Sequence, residues 1–173
     1  NEKPLLQLMP FIDAFNIDIK AYNNIFFKKY TKSTLKPVLS SLKRIRSANK
    51  HLEVTNLVIP TLNDDEKEFS SMVDWIYNEL GPETVLHLSK YFPRHKLDIE
   101  PTAAQTLVKF YEIAKNRLHY VYLGNVVLDN GRDTYCPACA QKAIERSGYF
   151  TTVVGLNETG FCTKCGKEII KNI

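Results

Sequence analysis

Four short apolar runs, each separated from the next by apolar residues at helical spacing, constrain this chain more than any other feature. Phe15, Ile17 and Ile19 alternate with Asn16, Asp18 and Lys20, which predicts a strand with one wetted face. Leu52 to Ile59, Val85 to Tyr91 and His119 to Leu123 are runs rich in β-branched and aromatic residues and predict three more. Between them Leu35, Val38, Leu39, Leu42 and Ile45 repeat at helical spacing, with Ser33 or Thr34 as cap. Phe69, Met72, Val73, Ile76 and Leu80 do the same, as do Leu107, Phe110, Tyr111, Ala114 and Leu118. Asn63 with Glu66, and Thr102 with Gln105, read as capping boxes, while Gly81-Pro82 stops the middle helix. Tyr22 to Thr31 reads as a short irregular helix. Strand–helix alternation means parallel strands joined by right-handed crossovers. The expected fold is α/β: four strands of a partial TIM-type (βα) barrel. Four strands cannot close a barrel, so the sheet keeps open edges, which are pairing hazards.

From Asn130 the character changes to turn residues, glycines and cysteines, which predicts one unit over 1–128 and a second over 129–173. Cys136-Pro-Ala-Cys139 and Cys162-Thr-Lys-Cys165 give four thiolates in two C-x-x-C knuckles, the spacing of a tetrahedral metal site. Zinc in a closed, structural ribbon is the favoured reading; iron in the same four sulfurs is the alternative. Gly166 follows the second knuckle where a left-handed turn is wanted, and Ala140 takes that place in the first. Lys142, Arg146, Lys164 and Lys167 lie near enough in sequence to offset the thiolate charge. So small a unit has little core, and the metal would supply most of its stability, about 10–16 kcal/mol in small zinc peptides. The cysteine pattern, with no secretory signal at the start, points to a reducing, cytoplasmic compartment. A formal net charge of +4, spread along the chain apart from Lys43–Arg46 and the tail, makes no case for nucleic acid or a membrane surface as partner. The first residue is Asn1, and the expectation is a fragment of a longer protein.

Asp18 and Lys20 put a carboxylate and an ammonium on the same face just where the first strand turns. In a parallel barrel that is the C-terminal rim, where ligand chemistry sits; on an edge strand it is a solvated face. His87, mid-strand, reads as a satisfied lining group, and His51, His95 and His119 as solvated.

FNIDIK with its D-x-K, LEVTNLVIPTLND, HLSKYFPRHKL, YVYLGNV, TYCPACAQKAIERSGY and FCTKCG occur in this order over nearly the whole chain. Together they resemble the AmmeMemoRadiSam-system radical SAM proteins, relatives of the pyruvate formate-lyase activating enzymes. The resemblance is to the C-terminal half of such a protein, the later strands of a (βα)6 partial barrel followed by a zinc-ribbon-like tail. It implies reductive cleavage of S-adenosylmethionine (SAM) at a [4Fe–4S] cluster to an adenosyl radical. It places the D-x-K contacts to the methionine moiety on Asp18 and Lys20. An arginine of the activating enzymes falls on Thr55, a histidine on Phe92, and the glycine after the strand-end proline on Thr61. The cluster motif C-x-x-x-C-x-x-C has no match.

The expectation is therefore the rear part of a radical SAM enzyme, inert alone, needing the missing N-terminal half of the same barrel and acting on a protein or small-molecule substrate. The alternative is a zinc-ribbon protein-binding module on a non-catalytic half-barrel.

Overall fold

A computed structural model describes residues 2–170. It divides the chain into two compact units, Asn1–Val127 and Leu128–Ile173. In the first, helix α1 (Glu2–Leu8) and a 3-10 turn (Met9–Phe11) lead into strand β1 (Ala14–Asp18). Helix α2 (Asn24–Phe26) continues as a π-helical turn over Phe27–Thr31. Then α3 (Leu35–Ser47), β2 (His51–Val58), α4 (Glu66–Leu80), β3 (Val85–Lys90), α5 (Ala104–Lys115) and β4 (Val121–Gly124) alternate. The strands form one sheet in the order β1-β2-β3-β4, every neighbouring pair parallel.

Burial alternates strictly along β2. Leu52, Val54, Asn56 and Val58 are buried, whereas His51, Glu53, Thr55 and Leu57 are not. The buried side packs with Leu86 and Leu88 of β3, Leu42 and Ile45 of α3, Met72 and Ile76 of α4, and Leu107 and Phe110 of α5. Phe69 of α4 and Phe110 of α5 stack at 4.0 Å between ring centroids, 19° apart in plane. Each such fully buried Leu, Ile or Phe contributes about 1.5–3 kcal/mol, so this one apolar layer dominates the stability of the unit.

Two expected caps are something else. The cap of α4 is Asp65, whose carboxylate accepts from the Glu68 N–H at 2.8 Å. Asn63 is buried instead: it accepts from the Ile59 N–H at 2.6 Å and donates to the carbonyls of Leu57, at 2.8 Å, and Lys20. Thr102 is likewise not a cap, α5 starting after Ala103. Its buried hydroxyl donates to the Val58 carbonyl at 2.6 Å and accepts from the Tyr91 N–H at 2.8 Å, joining the ends of β2 and β3. Both residues have the right chemistry for a cap, but a strand end left unpaired near the core needs a partner more than a wetted helix start does. The last two residues of FNIDIK lie past β1, although the Ile19 N–H still bonds the Thr55 carbonyl at 3.0 Å. The fourth strand begins two residues later than expected and includes Gly124.

The second unit is a three-stranded antiparallel sheet, β5 (Thr134–Tyr135), β6 (Lys142–Ser147) and β7 (Phe150–Val153), in the order β5-β6-β7. Asp133 is its buried polar anchor. The carboxylate meets Lys142 at 2.8 Å and accepts from the Arg146 N–H at 2.8 Å.

Two substitutions after β2 should move stability in opposite directions. Thr61 sits at φ +65°, a left-handed conformation that a β-branched residue resists. Thr61→Gly should raise unfolding stability by about 0.5–1 kcal/mol. Asn63→Ala leaves the Ile59 N–H without a partner and should lower stability by about 1–3 kcal/mol. Denaturant midpoints of the two variants decide both.

Candidate functional site

The four cysteines converge. Cys136 Sγ lies 3.5 Å from Cys165 Sγ and Cys139 Sγ 3.6 Å from Cys162 Sγ, and all four sulfurs fall within 4.8 Å of one another. Each knuckle is closed by a backbone bond, from the Ala140 N–H to the Cys136 carbonyl and from the Gly166 N–H to the Cys162 carbonyl, both at 2.9 Å. Ala140 and Gly166 both take the left-handed conformation this turn demands, at φ 58° and 72°. A tetrahedral ion with sulfur bonds of about 2.3 Å holds its thiolates about 3.8 Å apart, which the observed spacing fits. A multinuclear cluster would spread them further. Burial opposes ionisation of Cys162, yet the backbone N–H groups of Cys165 and Lys164 and the neighbouring thiols hold it down, to about 7. The Lys167 N–H favours the Cys165 thiolate, but burial and the surrounding thiols push Cys165 up to about 12. Cys162 therefore ionises readily while Cys165 resists, the behaviour of a site that needs a cation to become fully deprotonated. Lys142 and Arg146 are engaged elsewhere than expected: Lys142 pairs with Asp133 and Glu145, and Arg146 donates to Thr134 Oγ1 and the Arg132 carbonyl.

In the first unit the helices cover one face of the sheet, and the polar side chains gather on the other. Register places Asp18 beside Thr55, Thr55 beside His87 and His87 beside Tyr122, one residue from each of the four strands. Asp18 Oδ2 and Lys20 Nζ form an ion pair at 2.9 Å, both partly exposed where β1 ends. Their position is set from below. Asn56, buried on β2, donates to the Ile19 carbonyl at 2.7 Å, and Asn63 donates to that of Lys20. The Thr55 hydroxyl donates to Asn16 Oδ1 at 2.8 Å, so its proton is committed and only its lone pairs can serve a ligand. Phe92, just past β3, is half-exposed under the Lys90 ammonium, 5.0 Å from its ring centroid.

The centre of this face is a residue that the sequence reading passed over. Glu53 accepts from His87 Nε2 at 2.8 Å, from His51 Nε2 at 3.1 Å and from Asn16 Nδ2 at 3.3 Å. The His87 hydrogen bond, aided by His51 and opposed by partial burial, holds the Glu53 carboxyl down at about 2. The polar phase of β2 marks Glu53 as facing the same way as Thr55. Its partner became visible only once the register of β2 against β3 was known.

For a zwitterionic amino-acid group, Asp18 and Lys20 offer complementary charges side by side. The cleft between Tyr22, Asn56, Asn63 and Glu68 lies on the helix-covered side, lined also by Phe69 and Met72, and includes none of Asp18, Lys20 and Thr55. No cysteine exists outside the two knuckles, so no thiolate of this chain is left for an iron–sulfur cluster.

Comparison with known proteins gives the fold. A domain of the pyruvate-formate lyase-activating enzyme of Bacteroides vulgatus superposes with a TM-score of 0.62 at 15% identity, over 72% of this chain and 75% of that one. A radical SAM methyltransferase of Sphaerobacter thermophilus gives 0.60 at 12% identity, over 70% of this chain and 37% of that one. The sheet and its helices thus have the fold of radical SAM proteins, with a four-cysteine metal-binding site in the second unit.

By sequence, the chain is 41% identical over 171 residues to the uncharacterized protein MJ0808 of Methanocaldococcus jannaschii, covering 97% of this chain and 51% of that protein. It is 33% identical over 79 residues to the (2S)-3-sulfopropanediol dehydratase activating enzyme of Klebsiella oxytoca, covering 46% of this chain and 25% of that enzyme. The chain therefore spans about half the first relative and a quarter of the second. No protein-family model matches it. Among the described residues no helix is long and apolar enough to cross a membrane.

Elemental analysis of the purified chain should find about one metal ion per polypeptide, and Cys136→Ser should lose it. Because protons compete for the thiolates, affinity measured against a chelator should fall at least tenfold per pH unit below about 7. Affinity independent of pH would exclude thiolate ligation. The Asp133 carboxyl, held below its usual range first by Lys142, adds stability that is present above the ordinary carboxylate pKa and disappears as pH falls through its own.

Proposed function

We propose that the first unit is the rear part of a radical SAM barrel of the activating-enzyme kind, completed by strands from a preceding segment that also carries the cluster loop. The observation that carries this is the Asp18–Lys20 pair at the C-terminal end of a parallel strand in a radical SAM-type sheet. Two others support it. Part of the chain is similar in sequence to an activating enzyme. And β1 is an edge of the sheet, with Leu8 and Phe11 exposed just before it, apolar surface that further barrel strands would cover.

When bound, SAM and a reduced [4Fe–4S] cluster would supply an adenosyl radical for hydrogen abstraction from a protein or small-molecule substrate. The residues of this chain would do the holding. Asp18 receives the ammonium of the methionine moiety, Lys20 its carboxylate, and Thr55 accepts one further hydrogen bond at the same level. Asn56 and Asn63 keep the Lys20 backbone in place beneath them. The ion in the second unit is read as zinc in a closed four-thiolate shell with no open position, iron in the same four sulfurs being the alternative. A thiolate site of this kind suits a reducing, cytoplasmic compartment.

Calorimetric titration of this chain with SAM should give a Kd no tighter than the millimolar range, since half the pocket is missing. The native-length protein, reconstituted with iron and sulfide without oxygen, should cleave SAM to 5′-deoxyadenosine. There Lys20→Ala should weaken SAM binding roughly 10–100-fold, the loss of a charge-assisted contact. A native-length protein with no C-x-x-x-C-x-x-C segment, or a Lys20→Ala variant with unchanged affinity, would overturn the reading.

A further inference from the structure

The Glu53–His87 pair needs no part of the radical SAM reading and bears on chemistry that reading does not use. His87 presents Nε2 to Glu53 Oε2 at 2.8 Å. A carboxylate accepts and does not donate, so Nε2 is the protonated nitrogen of the neutral ring, and Nδ1 carries the lone pair. Among the described residues the hydrogen bonds of His87 are all made through Nε2. The ring lies on the helix-free face, with about a third of its side chain exposed, 5.6 Å from the Tyr122 ring. Glu53 cannot swing away easily, since His51 and Asn16 hold it from other directions. The charged groups around the pair are His51 on the same strand as Glu53, and the Asp18–Lys20 ion pair two strands from His87.

We propose that His87, fixed in orientation and tautomer by Glu53, is a proton acceptor for a ligand seated over the row Asp18–Thr55–His87–Tyr122, the ligand offering a hydroxyl, thiol or ammonium proton. In the step, the Nδ1 lone pair takes the proton and the X–H electron pair stays on X. The ring becomes an imidazolium whose other N–H still bonds the Glu53 carboxylate, which compensates the new charge. Nothing is oxidised or reduced. A carboxylate and a tautomer-fixed, partly exposed imidazole whose Nδ1 makes no hydrogen bond among the described residues is the arrangement a general base requires. Glu53 is here a positioning residue, acting through His87.

The test uses the full chain with its metal in place. Long-range 1H–15N spectra of the neutral imidazole should show His87 protonated at Nε2 in about tenfold or greater excess over the other tautomer. Glu53→Ala should lower that excess to the modest Nε2–H preference of a free histidine ring, and Glu53→Asp should restore part of it. Diethyl pyrocarbonate, which acylates an accessible unprotonated imidazole nitrogen, is the ligand-side probe. Mapped by mass spectrometry and NMR, His87 should react, and at Nδ1. In Glu53→Ala the acylation should divide between the two nitrogens. His87 protonated at Nδ1, His87 inert to the reagent in the folded chain, or a Glu53→Ala variant with the wild-type tautomer ratio would each overturn the proposal. None of these outcomes depends on SAM.

Discussion

The covering of one sheet face by all three long helices is the constraint from which the rest follows. Parallel strands require crossovers, and right-handed crossovers between successive strands in the order β1-β2-β3-β4 bring α3, α4 and α5 to the same side. That side takes Leu52, Val54 and Val58 of β2, Leu86 and Leu88 of β3 and the buried stripes of α3, α4 and α5. The pleat then sends the intervening residues the other way, and these are Asn16, Asp18, Glu53, Thr55 and His87. A doubly wound sheet would have buried both faces and demanded apolar residues at all of these positions. Because Asn16 and Asp18 of β1 and His51, Glu53 and Thr55 of β2 alternate with apolar residues, a one-sided arrangement suits the chain.

Polar groups on that face are kept in fixed directions by buried ones just behind it. Asn56, Asn63 and Thr102 each satisfy backbone carbonyls or N–H groups where a strand ends. In water such bonds contribute little, but at a buried strand end the alternative is an orphaned peptide group. This explains why Asn63 and Thr102 clasp strand ends although the residues around them have the pattern of helix caps. Each precedes a helix with a Glu or Gln three residues on, and nothing local tells a cap from a strand-end clasp. The difference lies in what packs above them.

The same reasoning separates what was legible in the residues from what was not. Strand and helix order could be read because period 2 and period 3.6 differ over the lengths involved, and the metal site because C-x-x-C spacing has few other uses. The D-x-K pair was readable because two residues apart on a strand means one face. Glu53 was not, because its meaning lies in His87, thirty-four residues away and on another strand. Thr61 was noticed as a departure from an expected glycine, and the structure supplies the reason a glycine is suited there: the turn after Pro60 is left-handed.

The two units solve the problem of small size in different ways. The first has a core thick enough to hold a strained residue such as Thr61 and a polar cluster on its open face. The second has a buried Asp133 and four cysteines where a core would be, so its order depends on charges that a proton can cancel. On the first unit's polar face the Glu53 carboxylate is only partly screened from water now. If further strands curve over that face, as the proposed barrel requires, the effective dielectric around Glu53, His51 and His87 falls and each of their interactions strengthens. An ionised Glu53 then becomes tolerable only because two imidazoles and an amide already hold it. A cluster that is ordinary on an open sheet is the kind needed inside a closed one, which the proposed barrel would make of this face.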